Sequence, residues 1–255
     1  MISTKKHAFI PDTQITPESD TSHIEAAGTY LADKKPDVII IAGDWWDMRS
    51  LNSYDKPGSF GWEKKSYSDD IKCGWVAMDM FLRNIRQPKG YDPKIIFTVG
   101  NHEQRILRAA DDPNNIVFRS MLTLESLGLK ELGVKVVPFL NIIKLDGILY
   151  SHYFNNPQSL TSNAVAGTIE NKLKLIGHSF SMGHQQHRQT GSIYTALGER
   201  RIGLVCGRFY QEDQDYLSPQ KNTQSWSGIF MKHEVRRGEY DLMEVSMKYL
   251  LKEWS

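Results

Sequence analysis

The chain has 255 residues, 40% hydrophobic and 24% charged, an ordinary globular balance that excludes disordered and collagen-like classes. Its 31 basic and 30 acidic residues leave a formal net charge of +1, so no global field draws it to nucleic acid and only a local basic patch stays open. Cys73 and Cys206 form no CxxC pair, MISTKKHAFIPDTQ lacks the apolar stretch of a secretory signal, and no run of about 18 apolar residues occurs. The expectation is a cytoplasmic protein in a reducing compartment, without a membrane span.

In chain order, residues 7–11 (HAFIP) form a short apolar run with Asp12 directly behind it. Residues 20–35 read as a helix with Asp20, Thr21 or Ser22 as N-cap candidates. VIIIAG, after Asp37, is a continuous β-branched run of the kind buried on both sheet faces, and it ends at Gly43-Asp44. Residues 48–68 show no period and read as a long loop, and residues 69–86 carry apolar positions at helical spacing. KIIFTVG is a second buried strand, ending at Gly100-Asn101. Beyond residue 133 the texture turns β-rich: VKVVPFL, NIIKLDGILYSH, SFSMGH, GSIYTAL and RIGLVCG, with one helical stretch near 162–175. The tail SGIFMKHEVRRGEYDLMEVSMKYL reads as a strand pair turning at Arg237-Gly238. Alternating strands and helices with polar residues at strand ends predict an α/β fold, and ligands bind outside the carboxyl ends of such strands. With no repeat or linker, residues 1–255 read as one domain, two sheets packed between helices.

Five strand ends carry possible metal ligands: Asp12; Asp44 and Asp47 in GDWWD; Asn101, His102 and Glu103 in GNHEQ; His152 in YSHYF; His184 in GHQQH. Carboxylate, imidazole and amide oxygen together suit Mn²⁺, Fe or Zn²⁺ better than a site that demands thiolate. A carboxylate bridging two cations makes a clamp for phosphoryl chemistry, and water between them loses its proton at a pKa of about 7 on a zinc model. The hydroxide so formed would attack phosphorus in line, and a neighbouring imidazolium would protonate the departing oxygen.

The order of these motifs resembles the calcineurin-like metallophosphoesterases, whose pattern is Asp-x-His, GDxxD, GNH followed by Asp or Glu, a His, and GHxH. The counterparts are Asp12-Thr13-Gln14, Gly43-Asp44-Trp45-Trp46-Asp47, Gly100-Asn101-His102-Glu103, His152 and Gly183-His184, covering roughly residues 7–190. CGRFYQEDQDYL and WSGIF look like bacteriophage-type members. The resemblance implies a four-layer α-β-β-α sandwich of two mixed sheets and two divalent metals. It places Asp12 and Gln14 on the first metal, Asp44 as a bridge, and Asn101, His152 and His184 on the second. His102 would be the acid near the scissile phosphate, with Asp47 and Glu103 as its supports.

Two positions depart from that pattern. Gln14 stands where the family has His, and in GHQQH the second His position falls on Gln186. A one-residue insertion would instead make His187 the ligand, and a shift of one in extended chain turns a side chain to the opposite face. Amide oxygens at the first site favour Mn²⁺ or Mg²⁺ over Zn²⁺. His7, His23, His178 and His233 read as surface or structural.

Residues 45–67 interleave Trp45, Trp46, Tyr54, Phe60, Trp62 and Tyr67 with Arg49, Lys56, Lys64 and Lys65. Such a loop can stack unpaired bases and neutralise phosphates, or simply pack onto the domain. Arg105 and Arg108 are further candidates for phosphate oxygens. The expected function is a DNA phosphodiesterase. A phosphatase or phosphodiesterase of another substrate, and a non-catalytic scaffold of the same fold, stand beside it.

Overall fold

The computed structural model describes residues 3–52, 65–160, 163–211 and 226–255. Two mixed sheets face each other, and helices cover their outer faces. The first sheet holds β1 (Lys5–Ile10), β2 (Val38–Ile41), β3 (Lys94–Thr98), β4 (Lys135–Val137), β10 (Gly228–Arg236) and β11 (Glu239–Ser246), in the order β11-β10-β1-β2-β3-β4. The second holds β5 (Ile143–Leu145), β6 (Ile148–Tyr150), β7 (Phe180–Met182), β8 (Arg188–Tyr194) and β9 (Arg200–Cys206), in the order β5-β6-β7-β9-β8. β1 through β4 run parallel, as do β6, β7 and β9.

Side chains alternate across each strand, which explains the unbroken apolar runs. Phe9, Val38, Ile40 and Ile96 point inward to meet Ile148, Tyr150, Leu204 and Cys206 of the second sheet. Their neighbours Ala8, Ile10, Ile39, Ile41, Ile95 and Phe97 point outward. There they bury the apolar faces of α1 (Ser22–Lys34), α2 (Tyr67–Ile85) and α5 (Met247–Glu253) through residues such as Ile24, Leu31, Phe81 and Leu250. On the far side, α4 (Ile169–Ile176) packs Ile169 and Leu173 onto Phe180, Met182 and Val205. Each such residue, once fully buried, contributes about 1.5–3 kcal/mol of transfer free energy. Among the described residues no helix is long and apolar enough to cross a membrane.

Three expectations are corrected. Residues 247–250 continue the tail not as strand but as α5, because Ser246 caps it by accepting a hydrogen bond from the Tyr249 N–H at 3.2 Å. The strand expected from GSIYTAL lies earlier, at Arg188–Tyr194. A short helix, α3 (Gln104–Asp111), directly follows the GNHE segment, where no helix was expected.

Candidate metal centre

Asp12 follows β1, Asp44 follows β2, Asn101 and His102 follow β3, His152 follows β6, and His184 follows β7. All six therefore leave the carboxyl ends of parallel strands, where backbone direction aims them at one place. The chain turns sharply to put them there. Asp44 has φ 48° and His184 φ 66°, left-handed values that cost energy in residues with a Cβ. Gln14 (φ 44°) and Gln186 (φ 53°) are bent the same way. The glycines of the motifs serve close approach rather than flexibility. A Cβ on Gly100 would come within 2.1 Å of Asp44 Oδ1, and one on Gly183 within 2.3 Å of Asp12 Oδ1.

Four side chains converge on one place. The His152 Nδ1–H donates to the Ala42 carbonyl at 2.7 Å, which turns Nε2 into the centre. There Nε2 lies 2.9 Å from Asn101 Oδ1 and 3.4 Å from Asp44 Oδ2. His184 Nδ1 lies 2.8 Å from the same Asn101 oxygen. The donor atoms of Asp44, His152 and His184 all sit within 4.8 Å of one another. Asp12, fully buried, accepts the His184 N–H on both oxygens at 3.2 and 3.1 Å.

This arrangement demands positive charge. Burial and the nearby Asp44 push the Asp12 carboxyl up to about 7. Burial also works against charge on Asp44, yet His102 and His152 hold it below the usual carboxylate range. Burial opposes a proton on His152, but Asp44 and Asp12 carry its pKa to about 9. Imidazole nitrogens facing an amide oxygen between two buried carboxylates fit a divalent cation, which satisfies acceptors without needing a donor. The donor set therefore fits the metal centre that the motifs imply.

His102 stands beside this centre. Its backbone N–H donates to Asp44 Oδ1 at 2.9 Å. Its Nδ1–H is shared between the Asp47 carbonyl at 2.8 Å and Asp47 Oδ1 at 3.0 Å. Nε2 thus faces Asp44 Oδ2, 3.8 Å away. Burial depresses the imidazole, but Asp44 and the Asp47 hydrogen bond overcome it and raise the pKa above its ordinary value. Glu103, fully buried, has both oxygens committed: Oε2 accepts from the Asp44 and Gly100 N–H groups at 3.0 and 2.8 Å, and Oε1 from Trp46 N–H at 3.1 Å. Its work is to clamp GDWWD onto GNHE. Asp47 orients His102 and also accepts from Arg49 Nε at 2.9 Å.

Gln14 is buried, and its N–H donates to the Asp44 carbonyl at 2.9 Å. Gln186 is half-buried and accepts from the Tyr210 hydroxyl at 2.9 Å, whereas His187 is exposed with Nδ1–H on the Gln185 carbonyl at 2.9 Å. His178 pairs with Lys144 Nζ at 3.1 Å, apart from the ligand cluster.

Of the two readings for the GDWWD tryptophans, packing onto the domain is the one found. Trp45 and Trp46 are both 0% exposed, and their indole N–H groups donate to the Gly74 and Ile71 carbonyls of α2 at 3.0 and 3.2 Å. Gly74 is needed there, since a Cβ on it would fall 1.9 Å from the Trp46 ring. Tyr67 lies on α2 with its hydroxyl 3.0 Å from Ser126 Oγ. Tyr54, Lys56, Phe60, Trp62 and Lys64 lie outside the described residues.

Sequence reasoning missed Tyr153, whose ring lies 4.6 Å from that of His184, and Phe139, which packs against both His152 and Tyr153. Tyr153 adjoins His152 in YSHYF, but nothing in the local pattern shows that it turns back over a second histidine.

No protein-family model and no curated protein matches the chain. One solved structure similar to it shares 11% identity at a TM-score of 0.44, covering 96% of this chain and 100% of its own. Another, the Thermus thermophilus protein TT1561, shares 9% identity at a TM-score of 0.37, covering 95% and 99%.

Proposed function

We propose that the chain is a metal-dependent phosphoesterase of the calcineurin-like kind, and that its substrate is a phosphodiester, DNA being the first to try. The single observation that carries this reading is the meeting of Asn101 Oδ1, His152 Nε2, His184 Nδ1 and the Asp44 carboxylate, with His102 alongside. Asp44, Asn101, His152 and His184 would hold one divalent cation. Asp12, Gln14 and Gln186 would hold a second, with Asp44 serving both. Gln186 is assigned over His187 because it lies half-buried against Tyr210 while His187 is turned out. The oxygen-rich first set favours Mn²⁺ or Mg²⁺. When bound, such cations lower the pKa of water to make a nucleophile and neutralise phosphate oxygens.

The protein's own residues complete the chemistry. Asp47 holds the His102 ring through Nδ1–H, and with Asp44 it favours the imidazolium, whose Nε2–H would be the proton delivered to the departing oxygen. Glu103 keeps the Asp44 and Gly100 turns in register, and the Ala42 carbonyl fixes the His152 tautomer. A non-catalytic scaffold needs none of these costly burials.

The test is to incubate the protein with Mn²⁺ and, in parallel, linear DNA, circular DNA, bis-p-nitrophenyl phosphate and p-nitrophenyl phosphate. Turnover of the diesters, abolished by chelation, is the expected result. Preference for the monoester removes the diester assignment, and inertness toward every ester ends the reading.

A further inference from the structure

α3 presents two arginines one turn apart, and the structure uses them differently. Arg105 is spent on internal support: its Nη1 donates to the Asp47 carbonyl at 2.7 Å and the Met48 carbonyl at 3.3 Å, and its Nη2 lies 3.2 Å from His102 Nε2. Its side chain is only 16% exposed. Arg108 is exposed and makes one hydrogen bond among the described residues, from Nη2 to the Asn101 carbonyl at 2.9 Å. A guanidinium has five N–H donors, so most of this fork is unspent.

Its place is informative. Asn101 belongs to the ligand cluster, and Tyr153, across on the second sheet, packs its ring 4.6 Å from that of His184. Arg108 is therefore tied to the backbone of a cluster residue while its remaining donors stay at the exposed surface.

We propose that Arg108 is the receptor for a non-bridging oxygen of the substrate phosphate, while Arg105 keeps His102 in place. This rests on the reading of the cluster as a phosphoesterase centre. A planar fork of unspent donors matches a phosphate edge in two parallel hydrogen bonds, which a lysine ammonium cannot reproduce. Such a contact forms with ground state and transition state alike, so its loss shows in KM more than in kcat.

The experiment compares wild type, Arg108→Gln and Arg108→Lys, all loaded with Mn²⁺. Calorimetry reads the binding of inorganic phosphate, steady-state kinetics read bis-p-nitrophenyl phosphate, and electron paramagnetic resonance reads Mn²⁺ affinity. Arg108→Gln is expected to weaken phosphate binding at least about tenfold and raise KM by a like factor, with Mn²⁺ affinity unchanged. Arg108→Lys is expected to recover part of the loss. Unchanged phosphate affinity and KM in Arg108→Gln would overturn the proposal, as would a fall in Mn²⁺ affinity, which would make Arg108 a brace for Asn101 and no more. A wild type that binds no Mn²⁺ and cleaves no ester removes the parent reading and this one with it. An active wild type matched by Arg108→Gln removes this one alone.

Discussion

Two buried polar clusters touch the same pair of sheets, and they are built on opposite principles. Around Lys232, donors meet acceptors. Its Nζ donates to Ser181 Oγ and to the Tyr150 hydroxyl, and it lies 4.5 Å from the Tyr150 ring centre and 4.7 Å from that of Tyr240. His7 completes that set with Nδ1 at 2.8 Å from the Tyr150 hydroxyl and Nε2 at 3.0 Å from Asp146 Oδ2. Burial drives the lysine well below its ordinary pKa and, with help from Lys232, takes His7 down to about 4. That cluster is closed by its own hydrogen bonds. Around Asn101 two imidazole nitrogens meet one amide oxygen beside a buried carboxylate, and the carboxylates raise the pKa of His152 instead of letting burial lower it. A buried polar group is costly unless partnered, and a divalent cation is the partner proposed for the second cluster.

The contrast can be broken most sharply at Asp44. Asp44→Asn removes the carboxylate shared by the cluster, and we expect Mn²⁺ affinity to fall more than about a hundredfold, beyond the loss usual for a mere supporting residue, with turnover gone. Calorimetric titration with Mn²⁺ reads the first part and diester hydrolysis the second. His102→Ala separates proton transfer from metal binding: kcat should drop about 10²–10⁴-fold while Mn²⁺ affinity stays. Full activity in this variant would remove the acid role from His102.

Effects on stability come next. His7 and His23 are both held from 6.5 down to about 4, chiefly by burial. Between those values the unfolded chain binds more protons than the folded one, so stability falls as pH drops from 6.5 to 4. The limit is about 3 kcal/mol for each histidine. Urea unfolding across that window checks the slope, and His23→Gln should flatten part of it. The smallest effect on activity is expected from Lys232→Met. Since the folded lysine has its pKa depressed, wild-type stability rises with pH toward the ordinary lysine value, and the methionine variant should lose that rise. Its Mn²⁺ binding and turnover should match wild type, which distinguishes the closed cluster from the open one.

How much of this was written in the sequence depends on distance along the chain. β1, α1, β2, α2 and β3 are legible because each carries its own period or an unbroken apolar run. The cluster residues are legible because each ends such a run. α3 is not, since only Ile106 and Ala110 of its eight residues are buried and it starts on the motif itself. β8 has no fully buried position, which blurs its ends. The fate of Trp45 and Trp46 was out of reach, because it is set nearly thirty residues away on α2, where Gly74 leaves room for the Trp46 indole and its carbonyl accepts from that of Trp45. Local pattern names what leaves a strand, and tertiary packing decides which way it then points.

The most direct measurement is anomalous scattering at the manganese edge from crystals grown in Mn²⁺. Strong peaks bounded by Asp44, Asn101, His152 and His184, and by Asp12, are the predicted result. A map with no peak among those side chains, at saturating manganese, would contradict the account.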